Sequence, residues 1–155
     1  MEQITAADIV TATGGRLLCG DGQLPLEHIS IDSRTMKGQD LFVPLIGEKV
    51  DAHRFIDQAF QAGAAAVLTS EHDEMEDPRP WIRVADTKKA LQDIGRYYRN
   101  RLTLPLIGIT GSVGKTTTRE MVAAALSAGF RVYKTPGNSN SQVGVPITLS
   151  EITSQ

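Results

Sequence analysis

Apolar positions along this chain follow two spacings: short unbroken runs that suit buried strands, and longer segments repeating at three and four residues that suit amphipathic helices. Thr5 to Asp8, followed by Ile9 and Val10, predicts a capped short helix that Gly14 and Gly15 stop. Arg16 to Cys19 and Glu27 to Ile31 predict strands around the loop Gly20 to Pro25, the second delivering Asp32, Ser33 and Arg34 to a strand end. Asp40 to Leu45 is a further strand, with Pro44 implying either an edge or an ending. Asp51 is placed to cap a helix through Ala62, whose buried face carries Phe55, Ile56, Ala59 and Phe60 and which Gly63 ends. Ala64 to Leu68 reads as a buried strand, completing a strand, helix, strand crossover of the kind that gives parallel pairing. After a proline-bounded acidic loop from Glu71 to Pro80, Trp81 to Val84 is another strand. Asp86 then caps a long helix with Ala90, Leu91, Ile94, Tyr97, Tyr98 and Leu102 inward.

Thr103 to Pro105 marks a boundary, because proline disfavours helical Leu104. Beyond it, Leu106, Ile107 and Ile109 predict a buried strand, and a helix opens near Gly114 with Met121, Val122, Ala125 and Leu126 inward. Gly129 ends that helix, Arg131 to Lys134 is the following strand, and Thr135 to Pro146 is a surface loop. The fold class is α/β: a small first domain with a mixed sheet over residues 1–103, then over 104–155 the first βαβ of a phosphate-loop, parallel-sheet ATPase domain. Two parallel strands and one helix leave a sheet face and both edges bare. The second part is therefore expected to be stabilised by docking, by self-association through its sheet edge, or not at all.

Gly108 to Thr117 carries the chemistry. Gly111 and Gly114 let the backbone turn with its amides inward, and the start of a helix favours an anion there. Thr110, Gly111, Ser112, Val113, Gly114, Lys115, Thr116 and Thr117 are the expected nucleotide contacts. Lys115 reaches the terminal phosphates and the Thr116 hydroxyl suits Mg2+. The general pattern places glycine at position 109, where this chain has isoleucine. Asp32, Ser33 and Arg34 read equally as an Asx-type turn or as polar groups at a ligand edge. His53 has no second histidine, cysteine or carboxylate at metal-site spacing, so a solvated or ligand-facing imidazole is expected. Asp73, Glu74, Glu76 and Asp77 lack the spacing of a calcium loop and are expected to be solvated.

Sixteen basic and eighteen acidic residues give a net charge of −2 with no block of one sign, which argues against nucleic acid as a partner. Cys19 is the only cysteine, and neither a signal peptide nor an apolar run of membrane-spanning length occurs. A reducing cytoplasm without membrane attachment is the expected setting.

Gly108 to Thr117 resembles the phosphate-loop variant of the Mur ligases of bacterial cell-wall synthesis, which accounts for Ile109. Asp32-Ser33-Arg34, Gly38 to Val43, Gly47 to His53 and Gly63 to Val67 are similar to the first domain of members acting on UDP-muramoyl peptides. Gly137 to Pro146 is most similar to the branch that adds D-alanyl-D-alanine to UDP-N-acetylmuramoyl-tripeptide. The sister branch that adds the third amino acid ranks second, since its threonine-proline stretch is absent. The resemblance implies ATP and Mg2+ as cofactors, Lys115 as the catalytic cation and Thr116 as metal ligand. It implies Ser33, Arg34, Asp51 and His53 around the uridine nucleotide, and Asn138 and Asn140 where muramoyl peptide and triphosphate meet. Ser141 stands where many relatives have a second asparagine. Members of the family run on to a further acidic metal ligand, a modified lysine and an amine-binding domain, so this chain is expected to be an inactive part of a longer, monomeric enzyme. The rival expectation is a complete, non-catalytic module that binds a uridine nucleotide.

Overall fold

The computed structural model describes residues 1–137 and 139–153. Thr5 closes the short strand β1 (Ile4–Thr5) and opens helix α1 (Ala6–Thr13), accepting from the Asp8 amide while Asp8 accepts from the Thr5 amide. Gly14, left-handed at φ 64°, ends the helix as its sequence predicts. The remaining strands are β2 (Arg16–Cys19), β3 (Pro25–Leu26), β4 (His28–Ser30), β5 (Asp40–Phe42), β6 (Ala64–Thr69) and β7 (Trp81–Arg83).

β1 and β3 form a small antiparallel pair, and the other five strands make one sheet in the order β2-β7-β6-β5-β4. β4 to β7 run parallel and β2 runs antiparallel to β7, which is the mixed sheet the sequence implies. β5 is paired on both sides, so Pro44 ends a central strand and does not mark an edge.

Alternation along the strands supplies two cores. Leu41, Ala66, Leu68 and Ile82 pack with α1 and the long helix α3 (Thr87–Arg101) on one face. Phe42, Val67 and Trp81 pack on the other face against Ile56, Ala59 and Phe60 of α2 (Ile56–Gln61), which continues a 3-10 turn at Ala52–Phe55. Both faces of the parallel strands are thereby covered, as their continuous apolar runs require.

Beyond residue 104 the structure departs from the sequence reading. Helix α4 (Lys115–Leu126) forms, but residues 106–109 and 131–134 are not strands, and Ile107 is 60% exposed. Two isolated parallel strands have too little surface to bury, and among the described residues beyond 104 no further strand is available to flank them. The inward stripe of α4 is realised only in part: Val122 and Leu126 are half-buried, but Met121 is 68% exposed, Ala125 is exposed, and Ala123 is the buried position.

An unexpected helix, α5 (Gly144–Ser150), arises within and beyond the segment read as loop. Its Pro146 sits in the first turn, where a missing amide costs nothing. α5 lies on α3, with Tyr98 Oη donating to the Ile152 carbonyl at 2.7 Å and His28 Nδ1 3.3 Å from Glu151. Docking is thus the outcome, and it is made by the far end of the segment; the strand edge through which self-association was expected does not form.

Candidate functional site: a strand edge and a phosphate loop

The loops that follow β4, β5 and β6 all leave the carboxyl ends of parallel strands, the edge at which α/β sheets take ligands. Asp32 lies near the start of the first of these, two residues beyond β4. It accepts from the Arg34 amide at 3.0 Å and from the guanidinium at 2.9 and 2.8 Å, which holds its carboxyl down at about 2. Arg34 is therefore folded onto its own Asx turn. Ser33 is buried and donates to Gln58 Oε1 at 3.3 Å.

His53 is only 5% exposed, which corrects the solvated alternative of the two expected for its ring, solvated or ligand-facing. Its Nε2 accepts the Ser70 amide at 3.0 Å, so the ring proton sits on Nδ1, which meets Asp51 Oδ1 at 2.6 Å. Ser70 follows β6 and Asp51 follows β5, so the imidazole ties two strand-end loops together. The fold also brings Glu71 alongside, with ligand atoms of Asp51, His53 and Glu71 within 4.8 Å of one another, a proximity that the sequence spacing did not show. A neutral imidazole has one free lone pair, and the Ser70 amide occupies it. The cluster is a hydrogen-bonded strap, with no nitrogen left for a cation.

Burial works against ionisation of Asp51, yet bonds from the His53 amide and ring outweigh it and hold the carboxyl below its ordinary value. A depressed carboxyl contributes stability above its unfolded pKa and loses it as pH falls through the folded value. Asp51 also caps the following turn by accepting the His53 amide at 2.9 Å. Asp51→Ala is expected to cost about 1–2 kcal/mol at neutral pH, and urea titrations at decreasing pH should show the gap closing as the wild-type carboxyl protonates. A gap independent of pH down to 2 would refute the ionised cap.

The second region is the phosphate loop. Gly114, left-handed at φ 78°, is the N-cap of α4 with no side chain capping it among the described residues, and the first helical bond runs from Thr118 to Gly114 at 2.9 Å. The amides of Lys115, Thr116 and Thr117 accordingly have no intrahelical acceptor and are open to an anion. Lys115 Nζ reaches back to the Gly111 carbonyl at 2.5 Å. An open depression of about 470 Å³ is lined by Ser112, Val113, Gly114, Lys115, Thr116, Thr117 and Asn140.

Most of the expected nucleotide residues thus converge, joined by Asn140 from the loop before α5. Thr110 and Gly111 lie just outside this lining, and Asn138 lies outside the described residues. Ser33, Arg34, Asp51 and His53 sit at the strand edge and do not line the depression. A larger hollow of about 560 Å³ between β2 and Asp73 to Glu76 carries three carboxylates against the single cation of Arg16, a net charge of the wrong sign for a phosphate. Ser70, Gln58 and Arg119 were not singled out from sequence. The strand-end position could have pointed to Ser70, whereas no sequence signal foretold the contact of Arg119 with Gly137 described below.

Residues 25–99 match the model described as Mur ligase family, catalytic domain, and residues 109–155 match the Mur ligase middle domain. The chain is 46% identical over 128 residues to the UDP-N-acetylmuramoyl-tripeptide--D-alanyl-D-alanine ligase of Synechocystis, covering 82% of this chain and 28% of that protein. It is 35% identical over 153 residues to the enzyme of that name from Escherichia coli, covering 99% of this chain and 33% of the relative. Among solved structures, MurF from Acinetobacter baumannii superposes with a TM-score of 0.84 at 35% identity, over 96% of this chain and 33% of that one. MurF from Thermotoga maritima, solved with ADP, superposes with a TM-score of 0.71 at 31% identity, over 80% of this chain and 29% of that one. This chain thus spans about a third of the length of these relatives. With both family models matched in chain order and solved members of the family superposing on nearly the whole chain, the chain belongs to the Mur ligase family.

Proposed function

We propose that this chain forms the UDP-muramoyl-peptide-binding domain, residues 1–103, and the beginning of the ATP-binding domain, residues 104–155, of a cytoplasmic ligase. That enzyme joins D-alanyl-D-alanine to UDP-N-acetylmuramoyl-tripeptide. A terminal carboxylate oxygen of the tripeptide attacks the γ-phosphorus of ATP and ADP departs. The dipeptide amine then attacks the acyl carbon, loses its proton, and phosphate leaves with the bonding electrons. Lys115 meets charge on the transferring phosphoryl group, and the amides of residues 115–117 hold its oxygens. The hydroxyl of Thr116, a residue that lines the depression, is suited to Mg2+, which when bound would neutralise the triphosphate. Ser33, Arg34, Asp51 and His53 serve the nucleotide end of the peptide substrate, His53 by fixing the loops, and Asn138 and Asn140 serve the junction with ATP.

The observation that carries this reading is the shared lining of one depression by Gly114, Lys115, Thr116 and Asn140. Phosphate release by the intact ligase tests it. Release should require both UDP-muramoyl-tripeptide and D-alanyl-D-alanine. Release on UDP-muramoyl-dipeptide with a single amino acid would assign the sister reaction. Retained UDP-substrate binding without any release would leave a binding module.

A further inference from the structure

Asn140 reaches the phosphate loop from a segment that has no strand to hold it, so something else must fix its place. We infer that Arg119 is a positioning residue for the phosphate site, acting through Gly137 to hold Asn140 against the loop; this rests on the ligase reading above. Arg119 lies one turn beyond Lys115 and Thr116 on α4, with a side chain only 21% exposed. One guanidinium nitrogen donates to the Gly137 carbonyl at 2.6 Å, across eighteen residues of sequence. The other two face Glu120 Oε1 at 3.3 and 2.9 Å, and Glu120 Oε2 accepts from Lys134 Nζ.

α4 thereby grips both ends of residues 134–137. The Glu120 and Lys134 side chains are about half exposed, so that pair is weak alone. The Arg119 bond joins a charged donor to a carbonyl and is the stronger tie. From Gly137, left-handed at φ 52°, the chain turns back with Ser139 donating to the Pro136 carbonyl at 3.3 Å, and Asn140 follows. Arg119 does not line the depression, so its influence passes through the loop.

The test is a double-mutant cycle in the intact ligase, read as affinity for a non-hydrolysable Mg-ATP analogue by calorimetry. Arg119→Ala is expected to weaken binding about tenfold, with Arg119→Lys recovering most of the loss by donating from its ammonium to the same carbonyl. Combined with Asn140→Ala, it should add little to the larger single loss, because both remove the same group from the site. Affinity for the UDP-substrate and the melting temperature should stay at wild-type values. Losses that multiply, an Arg119→Ala protein with unchanged analogue affinity, or equal losses for both substrates would each overturn the inference. A wild type that binds the analogue but forms no amide would defeat the ligase reading alone, and the cycle would still decide the role of Arg119.

Discussion

Lys115→Ala in the intact ligase is expected to slow acyl-phosphate formation about a thousandfold while leaving affinity for the UDP-substrate within about twofold. The asymmetry follows from position. The Lys115 ammonium leans over the loop at the Gly111 carbonyl, on the depression that holds Asn140, whereas the polar groups proposed for the uridine nucleotide belong to loops at the strand edge and do not line that depression. Charge on the transferring phosphoryl group grows only as the reaction proceeds, so a cation placed there is felt in the rate. Single-turnover phosphate release separates the step from product departure. Equal single-turnover rates for variant and wild type would remove Lys115 from the chemistry.

Where local pattern and tertiary packing agree, the sequence was readable. The Thr5 and Asp8 cap, the run Ala64 to Leu68 and the stripe from Ala90 to Tyr98 each carry their own signal and are each satisfied inside the first domain. Leu106, Ile107 and Ile109 carry an equally clear strand pattern, yet a strand needs neighbours, and residues 104–153 supply too few. α5 inverts the case: Gly144 and Pro146 speak for a loop, and burial of Pro146, Thr148 and Ser150 overrides them. At the site, the glycine-lysine helix start was legible because backbone shape and one side chain suffice. The burial of His53 was not, since its partner Ser70 comes from the next strand and a histidine beside an aspartate looks the same whether solvated or locked.

Gly95 explains how the two halves are joined and offers the sharpest test of that joint. Glycine inside a helix costs about 1 kcal/mol relative to alanine, so a buried one on α3 calls for a packing reason. Pro146 of α5 is that reason, because a Cβ added at Gly95 would lie 2.9 Å from Pro146 Cα and Cβ. Gly95→Leu improves the propensity of α3 and forces the helices apart, an overpacking cost of about 1–3 kcal/mol that α5 can escape only by undocking. Undocking also breaks the bond from Tyr98 to the Ile152 carbonyl. Hydrogen exchange on a dilute monomer of this chain should first show the wild-type amides of Ile147 and Leu149 better protected than those of Ile107, Ile109 and Val132. In Gly95→Leu the α5 amides are expected to exchange at least tenfold faster, with Val43 and Val67 unchanged. Unaltered α5 protection would place the joint elsewhere, and protection of Ile107, Ile109 and Val132 equal to that of Val43 and Val67 would mean that the phosphate-loop segment folds without it.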